Sequence, residues 1–161
     1  MNRIVLNETS YYGAGCRVAI ADEIKKRGFR KVLLVTDKPL IQFGVAAKIE
    51  AVLNDAGIPY EIYSEIKPNP TIKNVLDGLA AFKASGADCM VALGGGSSID
   101  TAKAIGIINN NPEFADVRSL EGVAPTKNKA VPTFAVPTTA GTAAEGTINY
   151  VITDEENRKK M

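Results

Sequence analysis

Strand-like apolar runs alternate with helix-like stretches along most of the chain, and this alternation restricts the possible folds more than any other feature. Four runs predict buried strands, at Lys31–Thr36, Tyr60–Tyr63, Asp88–Leu93 and Thr133–Val136. Three stretches predict helices, each closed by a glycine suited to a left-handed cap: Val18–Arg27 before Gly28, Phe43–Ala56 before Gly57, and Ile72–Ser85 before Gly86. Strands and helices that alternate at these lengths imply crossover connections and a mostly parallel sheet.

The expected fold is therefore a single α/β domain with a doubly wound, Rossmann-like sheet covered by helices on both faces. In such sheets, ligands bind beyond the carboxyl ends of the strands. The residues that follow each predicted strand are therefore the first candidates for a binding site.

The strongest candidate is the glycine triplet Gly94–Gly96, which leaves the predicted strand Asp88–Leu93 and enters a helix with Ser97. Glycines let backbone amides approach a ligand, and a helix N-terminus adds free N–H groups with partial positive charge, so the pattern predicts a pyrophosphate site. The alternative is a tight turn without a ligand, although three glycines cost more backbone entropy than such a turn needs. Asp100, in the first helical turn, either complements the helix dipole, braces the loop or reaches the ligand.

Three further positions follow predicted strands or lie in rigid turns. Asp37 follows the strand Lys31–Thr36, where a carboxylate can accept both hydroxyls of an adenosine ribose and favour NAD over NADP. A turn acid or a helix N-cap is an equal alternative for Asp37. The loop Pro137–Glu145 combines small residues with threonine hydroxyls that suit a ring or a ribose. Asn69 lies between two prolines in a turn of a kind that is most often purely structural.

Composition excludes several classes of function. The chain has no histidine, so it lacks the commonest metal ligand and the commonest acid–base group near neutral pH. Cys16 and Cys89 are far apart, which gives neither a disulfide framework nor a zinc site. The 19 basic and 18 acidic residues are interspersed, so neither a nucleic-acid partner nor a membrane partner is expected. No apolar run has the length of a bilayer span or the plan of a signal peptide, so the expected location is cytoplasmic.

Several motifs in combination resemble the iron-activated, NAD-dependent alcohol dehydrogenase family. They are Gly94–Ser97 with Asp100 and Lys103, the turn Pro68–Pro70, and the loop Pro137–Thr142 with Glu145. Two longer stretches, Ile107–Gly122 and Thr147–Glu156, resemble the lactaldehyde reductase branch of that family. The resemblance implies hydride transfer between NAD(H) and a small aldehyde or diol, lactaldehyde and 1,2-propanediol in this branch. It also implies an iron(II) ion that polarises the substrate oxygen.

The resemblance assigns cofactor contacts to particular residues of this chain. It implies that Asp37 binds the adenosine ribose and that Asn69 contacts the ribose on the nicotinamide side. It implies a pyrophosphate site at Gly95, Gly96 and Ser97, beside Asp100. The residues expected to line the adenine side and the phosphates, or to close over the cofactor, are Thr138, Thr139, Gly141, Thr142, Asn149 and Lys160.

The resemblance also implies that the iron ligands, one aspartate and three histidines, belong to a separate all-helical domain. We therefore expect residues 1–161 to form a dinucleotide-binding domain that stops before this domain, contains no metal ligand and no catalytic residue, and is inactive alone. The C-terminal residues agree with this expectation, because Asn149–Thr153 and Arg158–Met161 predict a hairpin that is cut off in its second strand. The apolar segment Ile4–Leu6 predicts a strand that, by resemblance, pairs across a homodimer.

Two other functions are compatible with the same motifs. One is a zinc-dependent polyol dehydrogenase or a relative of dehydroquinate synthase, which shares the glycine triplet. The other is a stand-alone nucleotide-binding or regulatory module, which is a natural size for 161 residues.

Overall fold

The computed structural model describes residues 8–161. Its main sheet has four parallel strands in the order β2–β1–β3–β4, with β1 at Val32–Val35, β2 at Tyr60–Tyr63, β3 at Cys89–Gly94 and β4 at Thr133–Pro137. All four strands fall within the predicted runs or extend one residue beyond them. The predicted parallel α/β fold is confirmed.

Five α-helices accompany the strands: α1 at Ala19–Lys26, α2 at Lys38–Gln42, α3 at Ala47–Asp55, α4 at Ile72–Ser85 and α5 at Gly96–Asn110. Three short 3₁₀ turns lie at Cys16–Val18, Pro112–Phe114 and Val117–Leu120. Helix α4 has the predicted bounds, because Thr71 and Asn74 form a reciprocal capping box and Gly86 ends the helix in the left-handed conformation.

The sequence misplaced the start of α3 and did not predict α2. The predicted helix Phe43–Ala56 begins only at Ala47, since Gly44 has a positive φ of 71° and separates two helices. The earlier helix, α2, starts with Asp37 as its N-cap and has a proline in its first turn. The first predicted helix, Val18–Arg27, is also shorter than expected, because a 3₁₀ turn occupies its first residue.

Two apolar clusters cover opposite faces of the sheet, as a doubly wound fold requires. Within β1, Leu33 and Val35 pack in the cluster that includes α4 and α5, while Val32 and Leu34 pack in the cluster that includes α1 and α3. All four side chains are fully buried, because each face of a parallel sheet is covered by helices. The core therefore fixes the position of the carboxyl ends of the strands, beyond which the candidate site lies.

The predicted C-terminal hairpin is present but shorter than expected. Strands β5, Thr153–Asp154, and β6, Lys159–Lys160, pair antiparallel. Ile152 lies in the core and its backbone pairs with that of Met161. Residues 149–151 are not in a strand, because their backbone groups bond to side chains of α5 instead.

The predicted N-terminal strand Ile4–Leu6, and the dimer contact attributed to it, lie outside the described residues. Across residues 8–161, none of the helices has both the length and the apolar character that a bilayer span requires.

Candidate functional site

The glycine triplet forms a tight junction between β3 and α5. Gly94 is buried with φ 149°, and a Cβ atom added there would lie 2.4 Å from Oγ of Ser98. Gly95 is the N-cap of α5, and no side chain caps the N-terminus of this helix. The first turn of a 15-residue helix therefore presents its N–H groups without a side-chain acceptor, as an anion site requires.

The threonine-rich loop after β4 packs directly against this junction. The backbone N–H of Thr138 donates to the carbonyl of Gly94 at 2.9 Å. A Cβ at Gly95 would come within 3.1 Å of Oγ1 of Thr139, and one at Gly96 would contact Thr142 at 3.8 Å. The sequence placed these two loops at the same edge of the sheet, and the structure brings them into contact.

Three buried hydroxyl oxygens have no hydrogen-bond partner among residues 8–161, and each lies near this edge. They belong to Thr36 at the end of β1, Ser98 in the first turn of α5, and Thr153 in β5. Buried polar groups are normally paired, so unpaired groups that gather in one part of a protein often mark a functional site.

A cleft of about 470 Å³ opens beside the start of α5. Most of the predicted cofactor residues line it, namely Asn69, Gly96, Ser97, Asp100, Thr142, Asn149 and Lys160. The other predicted residues do not line it: Gly95, Thr138, Thr139 and Gly141 lie in the adjoining loops, and Asp37 follows β1. Six residues that were not predicted as cofactor contacts also line the cleft, namely Pro70, Ala144, Thr147, Tyr150, Val151 and Thr153. Most of these fall in two segments, the proline turn Pro68–Pro70, which the sequence indicated to be structural, and Thr147–Glu156, which includes the predicted hairpin strand Asn149–Thr153.

Asp100 and Lys103, one turn apart on α5, hold the far wall of the cleft. Asp100 Oδ2 accepts a hydrogen bond from the N–H of Val151 at 3.1 Å. Lys103 Nζ donates to the carbonyls of Thr147 and Asn149 at 2.6 and 2.9 Å. Burial raises the pKa of the Asp100 carboxyl and lowers the pKa of the Lys103 amine. The contact that the structure shows for Asp100 is therefore with the segment around Val151, and not with the glycine loop.

The turn at Asn69 meets the C-terminal hairpin across the mouth of the cleft. Asn69 has a left-handed backbone, φ 54°, between its two prolines. Its side-chain oxygen accepts a hydrogen bond from Nζ of Lys160 at 2.8 Å. A cationic group thus lies at the cleft beside uncapped helix N–H groups, which is a favourable setting for an anionic ligand.

Asp37 lies at the strand end, as predicted, and acts there as a helix cap. Its Oδ1 accepts a hydrogen bond from the N–H of Leu40 at 2.9 Å. Among the described residues, its Oδ2 has no hydrogen bond, so one carboxylate oxygen remains available to a ligand. Next to it, Lys38 forms an exposed ion pair with Glu65.

Among residues 8–161, no three His, Cys, Asp or Glu side chains are grouped so that they could hold a metal ion. Cys89 is buried in β3, and this burial raises the pKa of its thiol to about 12. The thiol is therefore neutral near pH 7.

The family model for iron-containing alcohol dehydrogenase matches residues 7–161. The chain is 60% identical over 160 residues to lactaldehyde reductase of Escherichia coli K12, in an alignment that covers 99% of this chain and 42% of that protein. An alcohol dehydrogenase from Oenococcus oeni matches with a TM-score of 0.93 and 35% identity, covering 99% of this chain and 42% of the other.

A sulfoacetaldehyde reductase from Bifidobacterium kashiwanohense, solved in complex with NAD+, matches with a TM-score of 0.81 and 26% identity. That match covers 92% of this chain and 39% of the other. The chain thus spans about two-fifths of the length of these relatives. With its fold, its glycine junction and a family match over nearly all of its residues, the chain belongs to the iron-containing alcohol dehydrogenase family.

Proposed function

We propose that this chain is the NAD(H)-binding part of an iron-activated alcohol dehydrogenase that interconverts lactaldehyde and 1,2-propanediol. The observation that carries the proposal is the cleft, where the uncapped start of α5 and the ammonium group of Lys160 meet. The 60% identity to lactaldehyde reductase supports the choice of substrate.

The residues present fit a dinucleotide. In this proposal the backbone N–H groups of Gly95, Gly96 and Ser97 bind the pyrophosphate at the start of α5. The glycines are needed because side chains at Gly94 and Gly95 would meet Ser98 and Thr139.

The other proposed contacts come from the loops around the junction. The free carboxylate oxygen of Asp37 binds the adenosine ribose, and Asn69 binds the ribose on the nicotinamide side. The adenine and phosphate sides are lined by Thr138, Thr139, Gly141 and Thr142, while Asn149 and Lys160 close over the cofactor. The Lys160–Asn69 hydrogen bond and the wall held by Asp100 set the width of the opening.

When bound, NAD supplies the hydride acceptor, and its reduced form the hydride donor. This chain's own residues bind and orient the dinucleotide and cover part of it from water. The sequence has no histidine, and the described residues form no metal-binding group, so we assign no catalytic residue to this chain. We expect it to be inactive alone, with iron and its ligands contributed by a domain like that of the longer relatives.

A nucleotide-binding module without dehydrogenase activity is the second candidate, because the uncapped start of α5 offers an anion site by itself. The reading frame beyond Met161 separates the two proposals. An aspartate and three spaced histidines encoded there support the dehydrogenase. Metal analysis of the complete protein distinguishes an iron-activated alcohol dehydrogenase from a zinc-dependent polyol dehydrogenase.

Titration with NADH, followed by fluorescence or calorimetry, tests the proposed site. We expect weak but saturable binding, which a bulky side chain at Gly95, such as Gly95→Val, abolishes by displacing Thr139. The matched control is Lys73→Met, which removes an exposed ion pair on α4 and should leave binding unchanged. Absence of saturation at millimolar NADH contradicts the proposed function.

The purified chain should neither retain iron nor oxidise 1,2-propanediol. Stoichiometric iron after purification is the result that contradicts this expectation. A homodimer formed through Ile4–Leu6 and a cytoplasmic location stay predictions. Light scattering at high concentration tests the first, and a strictly monomeric profile argues against it.

A further inference from the structure

The C-terminal hairpin carries Lys160 to the cleft but is too small to be stable by itself. Each of its strands has two residues, at Thr153–Asp154 and Lys159–Lys160. Two-stranded hairpins are marginal in water even when they are longer. Contacts outside the hairpin must therefore fix the position of the Lys160 side chain.

One of these contacts is made by Arg118, from outside the hairpin, to the nearly buried carboxylate of Asp154 within it. Asp154 has a side chain only 3% exposed, and it accepts hydrogen bonds from the backbone N–H groups of Glu156 and Asn157 and from the side-chain amide of Asn157. Arg118 donates to it through two nitrogens, at 2.6 and 3.1 Å. Asp154 thus shapes the turn of the hairpin and joins it to the 3₁₀ turn Val117–Leu120.

One backbone contact and one side-chain contact connect the same hairpin to the cleft. The N–H of Thr153 donates to the carbonyl of Pro70 at 2.7 Å, beside Asn69. Opposite Thr153, Lys160 donates to Asn69. The hairpin is therefore held at one end by Arg118 and lies against the cleft at the other.

We propose that Arg118 and Asp154 are positioning residues for the dinucleotide cleft, acting through Lys160. Neither of them lines the cleft. Their bidentate ion pair fixes the hairpin, so that the ammonium group of Lys160 is held beside Asn69 rather than sampling solvent. This inference rests on the proposed NAD(H) function.

A double-mutant cycle on the 161-residue chain tests it, with the dissociation constant for NADH as the measured quantity. We expect Arg118→Met to weaken NADH binding by roughly 3- to 10-fold, which lies within the range typical of residues that act at a distance on a site. In a Lys160→Met background the same substitution should change the constant less than 2-fold, because the group it positions is gone. A residue that only stabilises the fold would have the same effect in both backgrounds.

Two further variants strengthen the test. Arg118→Lys keeps the charge and loses the two-nitrogen geometry, so its dissociation constant should lie between those of the unsubstituted chain and Arg118→Met. If Arg118→Met does not fold, Arg118→Lys replaces it in the double-mutant cycle. Lys73→Met, which removes the exposed Lys73–Asp77 pair, is the matched control and should leave the constant unchanged.

Trypsin cleavage after Arg158 and Lys159 reports the order of the hairpin without NADH, and it should be faster in Arg118→Met. An unchanged NADH constant in Arg118→Met, or equal effects in both backgrounds, overturns this inference while leaving the proposed function intact. A chain that does not bind NADH at all overturns the proposed function, and the inference with it.

Discussion

The two walls of the cleft are built in different ways. The wall at β3 and α5 continues a fully buried strand through Gly94 into a long helix, so its position follows from packing in the core. The opposite wall, residues 142–160, is mostly exposed, and its only regular structure is the four strand residues of the hairpin. It is held by polar side chains that reach it from α5 and from the 3₁₀ turn, namely Asp100, Lys103 and Arg118.

This difference shows that one site can combine a wall fixed by core packing, where we propose that an anion binds, with a wall that depends on a few polar contacts. Core packing is distributed over many side chains, whereas the second wall loses its position if single hydrogen-bonded groups are removed. Substitutions in the two walls should therefore change stability and binding to different extents.

The largest effect is expected in the packed wall, from Gly94→Ala. The positive φ strains an alanine by about 1 to 3 kcal/mol, and its Cβ would overlap Oγ of Ser98. We expect a large fall in the free energy of unfolding and loss of NADH binding, measured by urea denaturation and fluorescence titration.

The matched substitution is Gly96→Ala, in the first turn of α5. Its Cβ meets nothing closer than 3.8 Å, so the free energy of unfolding should hardly change. Equal losses of stability in Gly94→Ala and Gly96→Ala contradict the assignment of this wall to core packing.

A slightly smaller effect is expected at Asp37, beside the packed wall. Replacement by glycine removes the charged hydrogen bond that we propose to the ribose, so NADH binding should weaken by about 1.5 to 3 kcal/mol. NADPH binding should become stronger, because the repulsion between the carboxylate and the 2′-phosphate disappears. The two dissociation constants must move in opposite directions.

Asp37→Ser is the control for the cap on α2. Serine keeps an acceptor for the N–H of Leu40, so the helix should retain its stability while the charge is lost. If NADH and NADPH affinities fall together in both variants, Asp37 is a structural cap and no specificity residue.

In the second wall, Lys103→Met removes hydrogen bonds to the carbonyls of Thr147 and Asn149. The segment is largely exposed, so we expect a loss of about 1 to 2 kcal/mol in the free energy of unfolding. NADH binding should weaken more than stability does, because the segment lines the cleft. Hydrogen exchange of residues 147–151 measures the loosening directly, and unchanged exchange rates in Lys103→Met contradict this role.

The smallest effects are expected in the pH dependence of stability, where two carboxylates should behave oppositely. Burial raises the pKa of Asp100, so its contribution to stability is complete below the ordinary aspartate pKa and is lost as pH rises through the raised value. Hydrogen bonds from Arg118 and Asn157 lower the pKa of Asp154, so its contribution is present above the ordinary pKa and is lost as pH falls.

Urea denaturation at a series of pH values measures both. In the unsubstituted chain, the free energy of unfolding should fall as pH rises above the ordinary aspartate pKa. Asp100→Asn should remove this fall. Asp154→Asn should lower stability at neutral pH and flatten its decline in acid. Profiles of both variants that run parallel to that of the unsubstituted chain contradict the assigned interactions.

Much of the fold could be predicted because its signals are local. Helix α4 has its cap, its apolar stripe and its closing glycine within its own sequence, and its bounds agree with the prediction. The strand that leads into Gly94 was likewise visible as a short apolar run before glycines. The break between α2 and α3 was missed, since a helix-like pattern that runs through Gly44 gives no sign that the backbone turns there.

The sequence by itself determined the alternation of strands and helices, the glycine junction and the absence of histidine, because each is a property of neighbouring residues or of composition. Only the tertiary structure decided which distant side chains meet. Lys160 reaches Asn69 across 91 positions, and Asp100 holds Val151 across 51. Such contacts depend on how the core orients separate segments, and no local pattern encodes that orientation. For the same reason, the roles of Lys103, Arg118 and Asp154 emerged only from the folded chain.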